Sequence, residues 1–205
     1  GSDDDDDLRA APVELCDLPK PGPRRWRVEG LVPDGTQTIL FGAGGLAKSL
    51  LGMLIGDCVA RGTGLFGKAV EQGRVLYLDW ELDGEEQIRR AYRVAAGLGF
   101  PSPAPGLFYK QMVPSLSEAL PQIEGWLADL QVSLTVLDSF GLATLGDPTA
   151  AKDVVPLLAA VSRLPCTSMF IDHIRHLQPG ETGDGLNPFG SVYKFNIARS
   201  VIRVI

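Results

Sequence analysis

One short segment, Gly42 to Ser49, constrains the fold of this chain more than any other. It reads Gly-Ala-Gly-Gly-Leu-Ala-Lys-Ser and fits the pattern Gly-x-x-x-x-Gly-Lys-Ser at every fixed position except Ala47. An apolar, β-branched run from Thr36 precedes it, and apolar residues at helical spacing follow it through Arg61. This context of strand, loop and helix predicts a phosphate-binding loop, in which backbone N–H groups and a helix N-terminus face an anion.

The side chains and the backbone of this loop have different expected tasks. Lys48 is expected to reach the β- and γ-phosphates of ATP, and Ser49 to place its hydroxyl on Mg²⁺. The backbone around them is expected to bind the phosphates, through Gly42, Ala43, Gly44, Gly45, Leu46, Ala47 and Leu50. The alternative is an ordinary glycine-rich turn, and the Lys-Ser pair and its flanks argue against it.

Ala47 stands where the pattern has its last glycine. A methyl group beside an amide that should face the phosphates predicts weakened or lost nucleotide binding. Against this, alanine can take helical dihedral angles without a steric penalty.

The rest of the chain repeats the alternation of apolar strands and amphipathic helices. Strands are predicted at 74–79, 134–138, 167–172 and 200–205, and helices at 84–96, 117–130 and 151–164. This order predicts an α/β fold with a mostly parallel central sheet and helices on both faces. We expect one domain over residues 26–205, preceded by a disordered acidic and proline-rich tail over residues 1–25.

The predicted strands at 74–79 and 134–138 end in acidic residues that can face one nucleotide. In a parallel sheet their carboxyl ends lie at the edge that carries the glycine loop. Asp138 is therefore predicted to hold Mg²⁺, with Asp79 as the alternative. Glu81, just beyond the second strand, is predicted to activate the attacking water. Each acid alone is explained as well by a helix N-cap, so these assignments depend on the loop.

Composition argues against several classes of protein. A formal net charge of -6 does not suit a protein that coats duplex DNA. The three cysteines, Cys16, Cys58 and Cys166, are too dispersed for a disulfide framework or a zinc site, which indicates a reducing, cytoplasmic setting. Because no apolar run reaches the roughly 18 residues of a membrane span, no membrane partner is expected.

From Trp26 to Ile205 the chain resembles the RecA-like ATPases, and most closely the branch of the plasmid RepA hexameric replicative helicases. The likeness is carried by the loop, by the sequence Val-Leu-Asp-Ser ending at Ser139, and by the lead-in at 26–33. The resemblance implies that Asp138 is the Walker B acid and that Glu81 activates water. It also implies that His173 senses the γ-phosphate, although Asp172 replaces the first histidine of the family's pair.

The final segment of the chain adds the partners that this resemblance implies. Gly190-Ser191 and the run Asn-Ile-Ala-Arg ending at Arg199 resemble the branch's glycine-serine segment and its arginine. Arg199 is then a finger that reaches a neighbouring subunit's nucleotide, within a homo-oligomeric ring such as a hexamer. Single-stranded DNA is the implied ligand of the loop after His173, which contains Arg175 and His176 and is followed by Lys194.

Two functions therefore remain open at this point. The first is an ATP-hydrolysing, helicase-type motor subunit in DNA replication or recombination, which the loop together with Glu81, Asp138 and Arg199 favours. The second is a catalytically degenerate P-loop module with a regulatory or assembly role, which Ala47 and Asp172 favour. A small-molecule kinase is weaker, because no lid-like cluster of arginines is found.

Overall fold

A computed structural model of the protein describes residues 12–81, 83–147, 150–173 and 198–205. The strands are β1 (Trp26–Val28), β2 (Val32–Pro33), β3 (Gln37–Gly42), β4 (Arg74–Asp79), β5 (Leu107–Gln111), β6 (Val132–Asp138), β7 (Thr167–His173) and β8 (Ser200–Val204). The helices are α1 (Lys48–Arg61), α2 (Gly84–Gly97), α3 (Leu116–Asp129), α4 (Phe140–Ala143) and α5 (Ala151–Val161). These elements confirm an α/β fold.

The central sheet is built from six strands in the order β5-β4-β6-β7-β3-β8. Every neighbouring pair in it is parallel. The four inner strands β4, β6, β7 and β3 are almost continuously apolar and buried, as expected for strands covered on both faces. The sheet therefore places all of its carboxyl ends at one edge.

Alternate residues of the strands pack into two separate cores. On β4, Leu76 and Leu78 belong to one core, together with apolar residues of α3 and α5. Val75 and Tyr77 point to the opposite core, which α1 and Val94 of α2 complete. Helices thus cover both faces, as the sequence predicts.

Local signals fix where the helices begin and end. Asp83 accepts a hydrogen bond from the backbone N–H of Glu86 at 2.9 Å and caps α2. Ser115 and Glu118 form a reciprocal capping box at the start of α3. Gly62, with φ of 71°, ends α1 in the left-handed conformation that glycine adopts without strain.

Four elements were not predicted from the sequence: β5, α4, β1 and β2. β5 is a short, half-buried edge strand with the sequence Leu-Phe-Tyr-Lys-Gln, too polar to show a buried-strand pattern. α4 is a single turn directly after β6. β1 and β2 lie in the lead-in segment and pair antiparallel in a small separate sheet.

The remaining expectations concern the ends and surfaces of the chain. Residues 12–25 are exposed and include one short 3-10 turn, and the acidic part of the predicted tail lies outside the described residues. The proposed DNA loop with Arg175, His176 and Lys194, and the segment Gly190-Ser191, also lie outside them. The three cysteines are free thiols. Within the described part of the chain, no helix is long and apolar enough to cross a membrane.

Candidate functional site

The carboxyl edge of the sheet brings most of the predicted site residues together. Gly42 of β3 and His173 of β7 are register partners, as are Asp79 of β4 and Asp138 of β6. Because these four strands lie next to one another, the glycine loop, both acids and the histidine meet at one edge. Parallel pairing is thus what assembles the site.

The glycine loop begins at a position that excludes any side chain. A Cβ atom built on Gly42 would lie 2.6 Å from the backbone oxygen of Val204 on β8. Only glycine permits this close approach of two strands. The residues that follow, Gly45 to Leu50, line a cavity of about 780 Å³.

Lys48 bends back across the loop that it follows. Its Nζ donates a hydrogen bond to the carbonyl oxygen of Ala43 at 2.7 Å and lies 3.2 Å from Nδ1 of His173. Burial lowers the pKa of Lys48, whereas the nearby carboxylates of Glu81, Asp138 and Asp172 act in the opposite direction. Lys48 as a whole is only 4% exposed, so its charge acts within the site and not on the solvent.

Ala47 does not take the right-handed helical dihedral angles that alanine adopts without a penalty. Its φ of 55° and ψ of 28° place it in the left-handed region, at the N-cap of α1. There the Cβ of an L-residue crowds its own backbone, at a cost of about 1–2 kcal/mol. Gly45 has a φ of 79° in the same loop, so the loop contains two left-handed positions and only one of these is glycine.

Asp138 is fully buried at the end of β6. Its Oδ2 accepts a hydrogen bond from the Tyr77 hydroxyl at 2.6 Å, while its Oδ1 has no partner among the described residues. Burial raises the pKa of Asp138 to about 6, and the hydrogen bond from Tyr77 together with the nearby Ser49 hydroxyl opposes that rise. A buried carboxylate oxygen without a partner beside a serine hydroxyl fits the oxygen ligands that Mg²⁺ prefers.

Asp79, the alternative metal ligand, is committed to other contacts. Its Oδ1 accepts the backbone N–H of Glu81 at 2.9 Å, and its Oδ2 accepts the Tyr109 hydroxyl at 3.2 Å. The geometry therefore favours Asp138 over Asp79 for a metal. Neither acid acts as the side-chain cap of a helix, since Asp83 caps α2 and Ser139 precedes α4.

Glu81 lies at the mouth of the cavity, and 32% of its side chain is accessible. Its Oε2 lies 3.5 Å from Nε2 of His173. The hydrogen bond from His173 is the main cause that lowers the pKa of Glu81; burial opposes it, and the charge of Lys48 adds to it. His173 thus stands between Lys48 and Glu81, with one ring nitrogen directed at each.

Arg199 is the one predicted site residue, among those described, that lies away from this edge. Its backbone N–H donates to the carbonyl of Gln37 at 2.9 Å, at the amino end of β3, and its side chain is exposed. Gly42 lies at the other end of the same strand, roughly 16 Å away at 3.3 Å per residue. The structure therefore does not bring Arg199 to the glycine loop of its own chain.

The cavity continues from the loop into a groove between α1 and α2. Leu50, Leu54 and Val94 form its apolar wall. Arg90 lines the same groove, with its Nε 3.8 Å from Oε1 of Glu86. About 780 Å³ lies within the range typical of small-molecule sites.

Sequence reasoning missed three side chains that bear on the site, namely Arg90, Tyr77 and Tyr109. Arg90 lies on the helix after Glu81, and helical spacing gives no indication that it lines the groove. Tyr77 had a usable signal, because a tyrosine two residues before a strand-ending acid, within an otherwise apolar run, needs a buried partner for its hydroxyl.

Comparisons with known proteins agree with this fold. A family model described as AAA domain matches residues 6–179. A crystal structure of a KaiC-like protein from the hyperthermophilic archaeon Pyrococcus horikoshii is similar in fold, with a TM-score of 0.60 at 17% identity over 89% of this chain and 81% of that one. No curated protein matches the chain. The chain belongs to the AAA domain family, and its fold is that of a RecA-like P-loop ATPase.

Proposed function

We propose that this chain binds ATP with Mg²⁺ and hydrolyses the γ-phosphate. The observation that carries the proposal is the contact series from Lys48 through His173 to Glu81, beside a cavity that the glycine loop lines. Lys48 offers a cation for the phosphates, Glu81 offers a carboxylate, and the His173 ring lies between them. That arrangement suits phosphoryl transfer, in which catalysis consists mainly of positioning and charge stabilisation.

Each residue has a defined task in this proposal. Lys48 and the loop amides bind the β- and γ-phosphates, while Ser49 and Asp138 would hold Mg²⁺. When bound, Mg²⁺ neutralises charge on the phosphate oxygens. Glu81 accepts a proton from the attacking water, for which its lowered pKa keeps it ionised at neutral pH. His173 donates to Glu81 and lies within reach of the γ-phosphate.

The groove between α1 and α2 is the proposed site of the nucleoside. Leu50 and Leu54 offer an apolar surface to a base, and the planar guanidinium of Arg90 is suited to stack on it. The polar end of the cavity would hold phosphates and the apolar end the base.

We further propose the helicase-type role, in which copies of this chain form a ring, such as a hexamer, that acts on single-stranded DNA in the cytoplasm. Support comes from Arg199, which is exposed and distant from its own chain's loop, so that a nucleotide it contacts belongs to another copy. Arginine suits this task because its charge is permanent and its planar fork can bind phosphate oxygens in pairs.

The test of the proposed function is Mg²⁺-dependent release of phosphate from ATP by the purified chain, with the Lys48→Ala variant beside it. Losing a charge-assisted contact worth about 1.5–3 kcal/mol is expected to weaken ATP binding roughly tenfold to 150-fold. Calorimetry gives the affinity, and a phosphate-release assay gives the turnover. No release by the parent chain, or equal ATP affinity in both proteins, would contradict the proposal.

A second candidate function is a P-loop module that no longer turns over nucleotide, and the left-handed Ala47 is the observation that favours it. We expect Ala47→Gly to tighten ATP binding about two- to fivefold, because it removes the methyl group beside a loop amide that is proposed to face the phosphates. Calorimetry on both proteins measures this effect.

Gln131→Gly is the matched control for this variant, since Gln131 is also left-handed, with φ of 51°, and lies in the exposed turn before β6. Both glycine variants are expected to raise the melting temperature, and only Ala47→Gly to change ATP affinity. A parent chain that binds no ATP, together with an Ala47→Gly variant that binds and hydrolyses it, would establish the degenerate module instead.

A further inference from the structure

Two tyrosines on neighbouring strands lie beneath the proposed catalytic edge. Tyr77 of β4 and Tyr109 of β5 are register partners, so their rings stand side by side on the same face of the sheet. Tyr77 is fully buried and Tyr109 is half-buried. Their hydroxyls point to two different acids of the site.

Tyr77 contacts the proposed metal ligand. Its hydroxyl lies 2.6 Å from Oδ2 of Asp138 and 3.4 Å from the carbonyl oxygen of Ser49. A hydroxyl has a single proton, and the shorter contact to a carboxylate is the one that uses it. This bond occupies Oδ2 and leaves Oδ1, which has no partner among the described residues, as the oxygen free for a ligand.

Tyr109 acts on the other acid. Its hydroxyl donates to Oδ2 of Asp79 at 3.2 Å, and Oδ1 of the same carboxylate accepts the backbone N–H of Glu81 at 2.9 Å. The Asp79 carboxylate therefore stabilises the turn that follows β4. In that turn Glu81 lines the cavity. The hydrogen bond from Tyr109 holds the Asp79 carboxylate in place and thereby sets the direction of the turn.

We infer that Tyr77 and Tyr109 are positioning residues for ATP hydrolysis with separate tasks: Tyr77 orients the metal ligand Asp138, and Tyr109, through Asp79, orients Glu81. The inference rests on the proposed function and deepens it. Removing one hydroxyl should therefore affect one parameter of the reaction and spare the other. A pair that served packing alone would show no such division.

Phenylalanine variants isolate these hydroxyls. Each substitution removes one oxygen and adds no atom, so it creates no steric conflict, and both rings border a cavity of about 180 Å³. Burial, followed by the charge of the adjacent acid, raises the pKa of each tyrosine, and both hydroxyls are therefore protonated donors throughout the neutral range. The variants thus remove a donor and leave the ring.

The deciding experiment measures ATP turnover by the full chain as a function of Mg²⁺ and of ATP. We expect Tyr77→Phe to raise the Mg²⁺ concentration at half-saturation roughly tenfold to 100-fold, as outer-shell changes at metal sites do, with turnover at saturating Mg²⁺ changed only a few-fold. We expect Tyr109→Phe to lower kcat about tenfold while the dependence on Mg²⁺ and ATP stays that of the parent. Tyr92→Phe, an exposed tyrosine of α2, is the control.

The outcomes separate this inference from the function on which it rests. A parent chain without turnover overturns both. An active parent with both variants unchanged, or with the two variants altered in the same parameter, overturns the tyrosine assignment alone. If Tyr77→Phe lowers the melting temperature below the assay temperature, the half-buried Tyr109 decides the question, because its assignment predicts a loss of kcat at unchanged KM.

Discussion

Replacing Arg199 with alanine is expected to lower ATP turnover by on the order of 10³- to 10⁵-fold, the effect of removing an arginine finger, with little change in nucleotide affinity. The expected loss arises in a neighbouring copy, because Arg199 lies at the amino end of β8 and the loop of its own chain lies at the carboxyl end of β3. Turnover and equilibrium binding of an ATP analogue, measured on the same preparation, check both halves of this prediction.

Mixing two inactive variants tests whether Arg199 acts between copies. In a ring, a chain with Arg199→Ala keeps an intact Glu81, and a chain with Glu81→Gln keeps an intact arginine. Contacts between the two types restore complete sites, so the mixture is expected to regain a substantial part of the parent turnover. Arg163→Ala, an exposed arginine before β7, is the control for loss of charge. A mixture that assembles without regaining turnover would contradict a finger acting between copies.

Glu81→Gln is expected to lower kcat by on the order of 10²- to 10⁴-fold, the typical contribution of a general base, with ATP affinity retained. Glutamine keeps the shape of the side chain and its contact with His173, and it cannot accept a proton. Single-turnover hydrolysis separates this chemical step from product release. The measurement therefore reports on proton transfer and not on binding.

Glu85→Gln is the matched control for this substitution. Glu85 lies on α2 close to Glu81 in sequence, its side chain is 80% exposed, and it pairs with Arg89. Because exposed pairs of this type contribute little to stability, turnover should stay at the parent level. Retention of a tenth or more of the parent kcat by Glu81→Gln would assign the base to another group.

The sequence was sufficient for the architecture because its strongest patterns are those that burial imposes. A strand covered on both faces must be apolar along its whole length, so β4, β6 and β7 are visible as continuous runs. The rule that parallel strands collect their carboxyl ends then places Asp79, Asp138 and His173 near the loop without any coordinates. Fold class and most of the site follow from these two constraints.

The features that the sequence did not predict depend on the surrounding structure and not on local patterns. The left-handed conformation of Ala47 is set by the path of the loop between β3 and α1, which outweighs the residue's own preference. β5 escaped detection because an edge strand is covered incompletely and so tolerates Lys110 and Gln111. The contacts of Tyr77 and Tyr109 depend on which strands are neighbours, and strand order is a long-range property that local patterns do not encode.

The pairing of β3 with β8 has a mechanical consequence. The two strands are paired from Thr38 and Ser200 to Gly42 and Val204, and any side chain at Gly42 would collide with the backbone of Val204. The first residue of the phosphate loop and the backbone of Arg199 thus lie at opposite ends of one hydrogen-bonded pair of strands. Under the role proposed for Arg199, this strand pair would connect the nucleotide site of its own chain with that of a neighbouring copy.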